Sequence, residues 1–274
     1  MEKVAYLGPE GSYSQLAAIK LRPEAEHIAY GSFRLVVDAL ERGECNLAVL
    51  PIENSLNGSV IANIDLLQST EDIFTVEKTG LTLDHRLATL TGADIKGITR
   101  VFSHEQALAQ CEKYLYKNFP QAELIAAPST MASLNALETT SDAAIVGAHV
   151  KREGITLSKD NIADFTNNVT DFLLVKKGGA EKNKKSDRIF FSVACVHSAG
   201  ALYDVLQPLR DGGVNMTKIQ SRPIRGSAGE YRFFIEVEGD LSSEKVRKVL
   251  DEVKSISLSF KLLGAYFSDD NKKD

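Results

Sequence analysis

The residues best able to do chemistry in this chain are neutral and polar, and they stand where apolar strands end. NNVTDFLLV (167–175) joins two amides and a hydroxyl to an apolar strand that must return to a core, and PIENS (51–55) closes the apolar run LAVL in the same way. Amide and hydroxyl side chains hold a ligand through donors and acceptors, not through charge. GPEGS (8–12), SHEQ (103–106) and PST (128–130) repeat this character at three further strand ends. Ser12 with Gln15, and Ser103 with Gln106, have the Ser-x-x-Gln spacing of a capping box, which predicts a helix start at each. Free backbone N–H groups at such starts attract anions. GPEGS taken alone is equally a plain tight turn.

The elements that must position these motifs follow from apolar periodicity. VAYLG, a helix over about 12–20, HIAYGS, the helix FRLVVDALERG ending at Gly43 and LAVLPIENS spell βαβαβ. After a helix through Leu66 and Leu67, IFTVEKTGLTL is long and β-rich enough to cross to another subdomain. The alternation restarts with HRLATL, TRVFSH, a helix over 106–117, AELIAAPST, a helix over 131–137 and DAAIVGA, and NNVTDFLLV reads as the crossover back. Two α/β lobes joined by two crossovers enclose a cleft, and ligands of open α/β sheets sit outside the C-terminal ends of strands. The polar motifs all fall at such ends. KKGGAEKNKKSD (176–187), rich in Gly and Lys, reads as a linker. Beyond it RIFFSVACV, a helix over 199–210, VNMTKIQSRPI, EYRFFIEVEG, a helix over 242–254 and SFKLLGAYFS give βαββαβ, the ferredoxin-like arrangement.

A length of 274 residues implies two or three compact units. No apolar run approaches the roughly 20 residues that cross a bilayer, and the opening MEKVAYLGPEGS lacks a basic stretch followed by a long apolar one, so a cytoplasmic location is expected. Cys45, Cys111 and Cys195 are odd in number and far apart, which fits reduced thiols. The net charge of −5 argues against nucleic acid as a partner, though not against a small anion. His27, His85, His104, His149 and His197 show no paired ligand spacing, so a metal is not expected.

Taken in order, the motifs resemble the prephenate dehydratase family in its form without a fused chorismate mutase. GPEGSYS, PIENSLNGSV, SHEQALAQC, PSTMAS and NNVTDF are similar to the family's segments, and GALYDVL, VNMTKIQSRP and EYRFF resemble an ACT regulatory domain. The resemblance implies a two-lobed catalytic unit like periplasmic binding proteins over 1–178 (one lobe about 1–80 plus 160–178, the other about 81–159), a linker over 179–187 and an ACT domain over 188–270. It implies conversion of prephenate to phenylpyruvate without a cofactor, feedback by L-phenylalanine, and a homodimer or homotetramer.

By that resemblance Thr170 polarises the leaving hydroxyl, and Asn54, Ser55, Ser103 and Gln110 complete the catalytic set. Gly11, Ser12, Ser129, Thr130, Asn168 and Phe172 would hold substrate. Gly200, Ala201, Leu202, Asn215, Gln220, Ser221, Arg222 and Pro223 would enclose phenylalanine between paired ACT domains. Without the resemblance Thr170 reads as a β-branched strand residue, Asn54 as a loop cap, Gln110 as an exposed helix residue and His104 as a helix start. Glu53 fits structural hydrogen bonding, because a free carboxylate repels a dianion. One departure stands out: the family's Thr-Arg-Phe has arginine where this chain has Asp171. Strand alternation turns residue 171 away from the face shared by Thr170 and Phe172. If position 171 nevertheless reaches substrate, arogenate, which bears an ammonium, becomes a candidate substrate, or the chain becomes a non-catalytic acid sensor.

Overall fold

The computed structural model describes residues 1–178, 185–224, 226 and 230–268. The first run is β1 (Lys3–Leu7), α1 (Tyr13–Leu21), β2 (Glu26–Tyr30), α2 (Phe33–Glu41), β3 (Leu47–Asn54), the short β4 (Gly58–Ser59), α3 (Ile61–Ser69) and the long β5 (Ile73–Thr82). The second is β6 (His85–Leu90), β7 (Arg100–Ser103), α4 (Glu105–Gln110), α5 (Glu112–Asn118), β8 (Glu123–Ala126), α6 (Thr130–Leu134), β9 (Asp142–Gly147) and β10 (Ile155–Leu157). β11 (Val169–Lys177) returns to the first run, and β12 (Arg188–Ala194), α7 (Ala201–Asp211), β13 (Met216–Pro223), β14 (Tyr231–Glu238), α8 (Glu244–Ile256) and β15 (Ser259–Tyr266) complete the chain.

The strands form a ten-stranded sheet in the order β13-β14-β12-β15-β5-β11-β3-β1-β2, with β4 on β3, and a five-stranded sheet in the order β10-β6-β9-β7-β8. β1 runs parallel to β2 and β3, and β7 to β8 and β9, as βαβ connections require. β3 and β9 are buried along almost their whole length because helices cover both faces. β5 leaves the larger sheet for the smaller one and β11 comes back beside it, antiparallel, from Val169 opposite Thr82 to Lys177 opposite Ile73. Both crossings therefore lie side by side between the sheets.

The last four strands have the ferredoxin-like order, with Val205, Leu209, Leu250 and Val253 of α7 and α8 packed on Phe191 and Ile235. Their other face shares a core with the first unit, in which Phe190, Phe234, Leu263 and Tyr266 meet Leu40, Ile64 and Leu67. β15 also pairs with β5, in parallel, at Gly264 and Thr75, where an added Cβ on Gly264 would lie 2.5 Å from the threonine Cβ.

Several expectations need correction. The helix expected over 106–117 is two, α4 and α5, broken at Cys111; the Asp164 carboxylate accepts from Lys113 N (2.9 Å) and Tyr114 N (3.1 Å) and starts the second. Ser103 does not cap α4: it is buried at the end of β7 and donates to Ile145 O (2.8 Å), while His104 accepts from Gln106 N. Ser12 does cap α1, but Gln15 Oε1 reaches back to Gly11 N (2.6 Å) instead of Ser12 N. The helix expected over 131–137 ends at Leu134. β11 continues through Lys177, into the stretch that reads as linker. Residues 179–184 of the expected linker and 269–270 of the expected ACT domain lie outside the described residues.

Candidate active site

Asn54, at the end of β3, sits opposite Thr170 at the start of β11. Its Oδ1 accepts from Leu56 N and Asn57 N, both at 3.1 Å, so the turn after β3 fixes which way the amide points. Its Nδ2 then donates to Asn168 Oδ1 (2.6 Å) and Thr170 Oγ1 (2.9 Å). The orientation passes along a buried chain. Asn168 Nδ2 donates to Gln110 Oε1 (3.0 Å), and Gln110 Oε1 also takes a hydrogen bond from His85 Nε2 (2.8 Å). His85 must be the donor, since a carbonyl oxygen only accepts. Burial holds its pKa below the usual value, so the ring stays neutral. At the other end, Thr170 Oγ1 already accepts from Asn54, leaving the threonine proton to be donated elsewhere. Thr170 lines the space between the sheets.

This space is a cleft of about 430 Å³. All five polar motifs reach it, through Ser12, Asn54, His104, Ser129 and Thr130, and Thr170 with Phe172. The first turns of α1, α4 and α6 face it from their capping residues Ser12, His104 and Ser129, and helix N-termini favour negative charge. Among the described residues the lining holds no Lys, Arg, Asp or Glu. Gln110, part of this wall, has its Nε2 buried without a hydrogen-bond partner among the described residues. Tyr13 OH donates to Asp84 O (3.1 Å) and His149 Nε2 lies 2.8 Å from Gly11 O, so the lobes touch across the cleft mouth.

Other residues singled out in the sequence lie behind the wall. Asn168 is fully buried within the hydrogen-bonded chain. Ser55 clamps the returning crossover, donating to Asn167 O (3.0 Å) and accepting from Val169 N (2.9 Å). Ser103 is turned toward β9. Gly11 sits at φ +81 beside Met131, itself part of the lining. Asp171 faces away from the cleft: its carboxylate lies 2.9 Å from Lys78 Nζ, which also reaches Glu236 of β14 (3.5 Å). Glu53 likewise pairs with Lys218 of β13 (2.8 Å). The neighbours of Asn54 and Thr170 thus point at the ferredoxin-like unit while the two residues themselves point into the cleft. His85, Tyr13 and Met131 were not singled out in the sequence. His85 stands at the start of β6, just past the outward crossover, and no local pattern marked it.

The residues expected around an effector do not form one pocket in a single chain. Gly200 begins α7 at φ +88, and Ala201 and Leu202 line a cavity of about 140 Å³ with Tyr231 and Phe233. Arg222 and Pro223 line a different cavity, facing α3, where Arg222 forks onto Asp65 at 3.3 and 2.9 Å. Asn215 donates to Glu238 (3.1 Å), and Gln220 to Ser221 O (3.1 Å).

A two-lobed α/β unit with a neutral, hydrogen-bonding cleft, joined to a ferredoxin-like unit, defines a protein that takes a small polar ligand between its lobes. Residues 4–180 match the family model for prephenate dehydratase and residues 190–255 that for the ACT domain, and the chain belongs to the prephenate dehydratase family. It is 34% identical over 269 residues to a bifunctional chorismate mutase/prephenate dehydratase of Neisseria gonorrhoeae, covering 96% of this chain and 74% of that one. It is 33% identical over 279 residues to arogenate dehydratase/prephenate dehydratase 2, chloroplastic, of Arabidopsis thaliana, covering 96% and 72%. Its fold superposes on a prephenate dehydratase of Arthrobacter aurescens solved in complex with L-Phe, with a TM-score of 0.89 at 26% identity over 98% of this chain and 90% of that one.

Proposed function

We propose that the cleft converts prephenate to phenylpyruvate, with loss of carbon dioxide and water and without a cofactor. The ring carboxylate leaves as CO2 and its bonding electrons enter the ring. The C4–O electron pair departs with the hydroxyl oxygen, which takes up one proton to become water. Aromatisation drives the reaction, so the protein need only help the oxygen leave. Thr170 is the group for this, and the observation that carries the reading is its hydroxyl, which accepts from Asn54 in a residue that lines the cleft. Threonine is a weak acid, and its part is to polarise the departing oxygen. The lack of charged lining suits the other half of the step. A nearby cation would stabilise the carboxylate that must become neutral CO2, whereas helix N-termini and the Gln110 amide can hold the second carboxylate at less electrostatic cost.

In this reading Asn54, Asn168, Gln110 and Ser55 position Thr170, while Gly11, Ser12, Ser129, Thr130 and Phe172 shape the substrate site. Ser103 serves by locking β7 to β9. Asp171, turned to Lys78, gives no ground for a changed substrate. The ion pairs of Lys78 with Glu236 and of Glu53 with Lys218 join the strands beside the cleft to the last unit, which favours feedback by L-phenylalanine. The separation of the effector residues into two places supports a site completed by a second chain, hence a dimer or tetramer. With its catalytic unit over 1–178 and its ACT domain over 188–270, such an enzyme belongs in the cytoplasm. The test is phenylpyruvate formation from prephenate, with and without phenylalanine, by wild type and Thr170→Ala. No product from wild type defeats the reading, and full activity in the variant defeats the role of Thr170.

A further inference from the structure

We propose that Lys218 of the last unit is a positioning residue for Asn54 and Thr170, a role that rests on the reaction proposed above for the cleft. It acts by neutralising Glu53, one of two carboxylates that oppose each other on the next rung of the sheet.

β3 and β11 pair Asn54 with Thr170 and, one rung on, Glu53 with Asp171; the register then slips between Asp171 and Phe172. Asn54, Thr170 and the two carboxylates therefore share a stretch of two rungs, set off from the rest of the β3–β11 ladder. Successive side chains alternate between faces, so the cleft pair has the carboxylate pair beside it on the face toward the last unit. Like charges directly opposed across two strands weaken their pairing. Two lysines offset this repulsion. Lys78 of β5 lies 2.9 Å from Asp171, and Lys218 of β13 lies 2.8 Å from Glu53.

Lys78 cannot stand in for Lys218. It is also 3.5 Å from Glu236, whose carboxylate takes hydrogen bonds from Tyr266 OH (2.6 Å) and Thr217 Oγ1 (2.7 Å). Arg188, a further cation near Tyr266, stands beside Glu238 (3.8 Å). Glu53, Lys78, Lys218, Glu236 and Tyr266 line one cavity of about 10 Å³, the space of about one water molecule. Both lysines are largely buried, while Glu53 keeps some contact with solvent, which moderates the repulsion without removing it. Withdrawing Lys218 leaves Glu53 facing Asp171, with Lys78 already divided between Asp171 and Glu236. The strands are then pushed apart one rung from the 2.9 Å contact between Asn54 and Thr170. Because Lys218 belongs to β13, a shift of the last unit changes this balance without touching the substrate.

The test reads variants of the full chain for phenylpyruvate formation and, without substrate, for amide hydrogen exchange at Val169, Thr170 and Asp171. Lys218→Met should lower kcat about fivefold with KM within about twofold, and speed the exchange about fivefold. Adding Asp171→Asn, which removes the opposing charge and leaves Glu53 in place, should bring both back to within about twofold of wild type. A lysine that merely satisfied Glu53 could not be replaced in this way. Failure of Asp171→Asn to restore the Lys218→Met protein overturns the proposal, as does a Lys218→Met protein equal to wild type in kcat or in exchange. Should Lys218→Met not fold, recovery of the wild-type melting temperature on adding Asp171→Asn supports the proposal and its absence overturns it. A wild type that forms no phenylpyruvate defeats the reaction proposed for the cleft, and the exchange measurement still decides whether Lys218 holds the rung.

Discussion

Thr170→Val is the sharpest test of the proposed chemistry, because it removes one hydroxyl and keeps both the side-chain volume and the β-branched shape. Thr170 is 8% exposed, and its hydroxyl accepts 2.9 Å from Asn54 Nδ2. The structural cost is small. Asn54 Nδ2 keeps Asn168 Oδ1 at 2.6 Å and Val169 O at 3.3 Å, so one hydrogen bond of about 1 kcal/mol is lost. For a chain of this size that is roughly 2–4 °C in melting temperature. The catalytic cost is larger. Removing one donor aimed at developing negative charge lowers kcat about 10²–10³-fold, or roughly 2.7–4 kcal/mol. The donor acts on the leaving oxygen and not on either carboxylate, so KM should stay within about threefold. Thr170→Ser, which keeps the hydroxyl, should retain activity to within about tenfold. The assay is the steady-state rate of phenylpyruvate appearance, paired with thermal melting. A folded Thr170→Val enzyme with kcat within about threefold of wild type would refute the role of the oriented hydroxyl.

Asp171→Arg should turn over prephenate within about threefold of wild type but lose roughly 1–3 kcal/mol in denaturant titration, since the new cation lands beside Lys78. Gly11→Ala should raise KM more than it lowers kcat and cost about 1–2 kcal/mol, because position 11 is left-handed and its new Cβ would lie 2.8 Å from the cleft-lining Met131. Acid should loosen the β7–β9 region. Burial pushes the Asp142 carboxyl up, but Arg100 and the Glu138 and Thr139 N–H groups overcome this and bring it down to about 2. Its folded value lies below its unfolded value of 3.8, so its stabilisation is complete above that pH and is lost as pH falls toward about 2. Hydrogen exchange of β9 against pH checks this, and unchanged protection in that window would contradict it.

The layout of the cleft was legible because apolar runs ending in polar residues mark strand ends, and strand ends converge in open α/β sheets. That logic led to the motifs PIENS, PST and NNVTDF, which reach the cleft through Asn54, Ser129, Thr130 and Thr170, while the choice of single residues within them came from the resemblance. It said nothing of side-chain direction inside a motif. Ser103 and His104 are adjacent, yet the serine turns to Ile145 O and the histidine caps the helix. His85 was hidden because its significance depends on Gln110 and Asn168, 25 and 83 positions away and adjacent only after folding. The break at Cys111 was hidden likewise, since Asp164, which starts the second helix, comes from the other side of the lobe. Alternation did give the direction of Asp171, but its partners Lys78 and Glu236 belong to strands whose neighbours no local pattern reveals.

The pairing of Gly264 with Thr75 makes the ferredoxin-like strands and the first lobe a single slab of sheet. β11, which carries Thr170, lies one strand in from that seam. A slab of hydrogen-bonded strands resists stretching and yields by twisting, so strain applied at its regulatory edge has no slack joint in which to dissipate. β5 and β11 themselves belong to this slab, and the smaller sheet is joined to it only by the chain beyond Thr82 and before Val169. The Thr170 hydroxyl is therefore mounted on the same slab as the ferredoxin-like strands, facing the smaller sheet across the cleft.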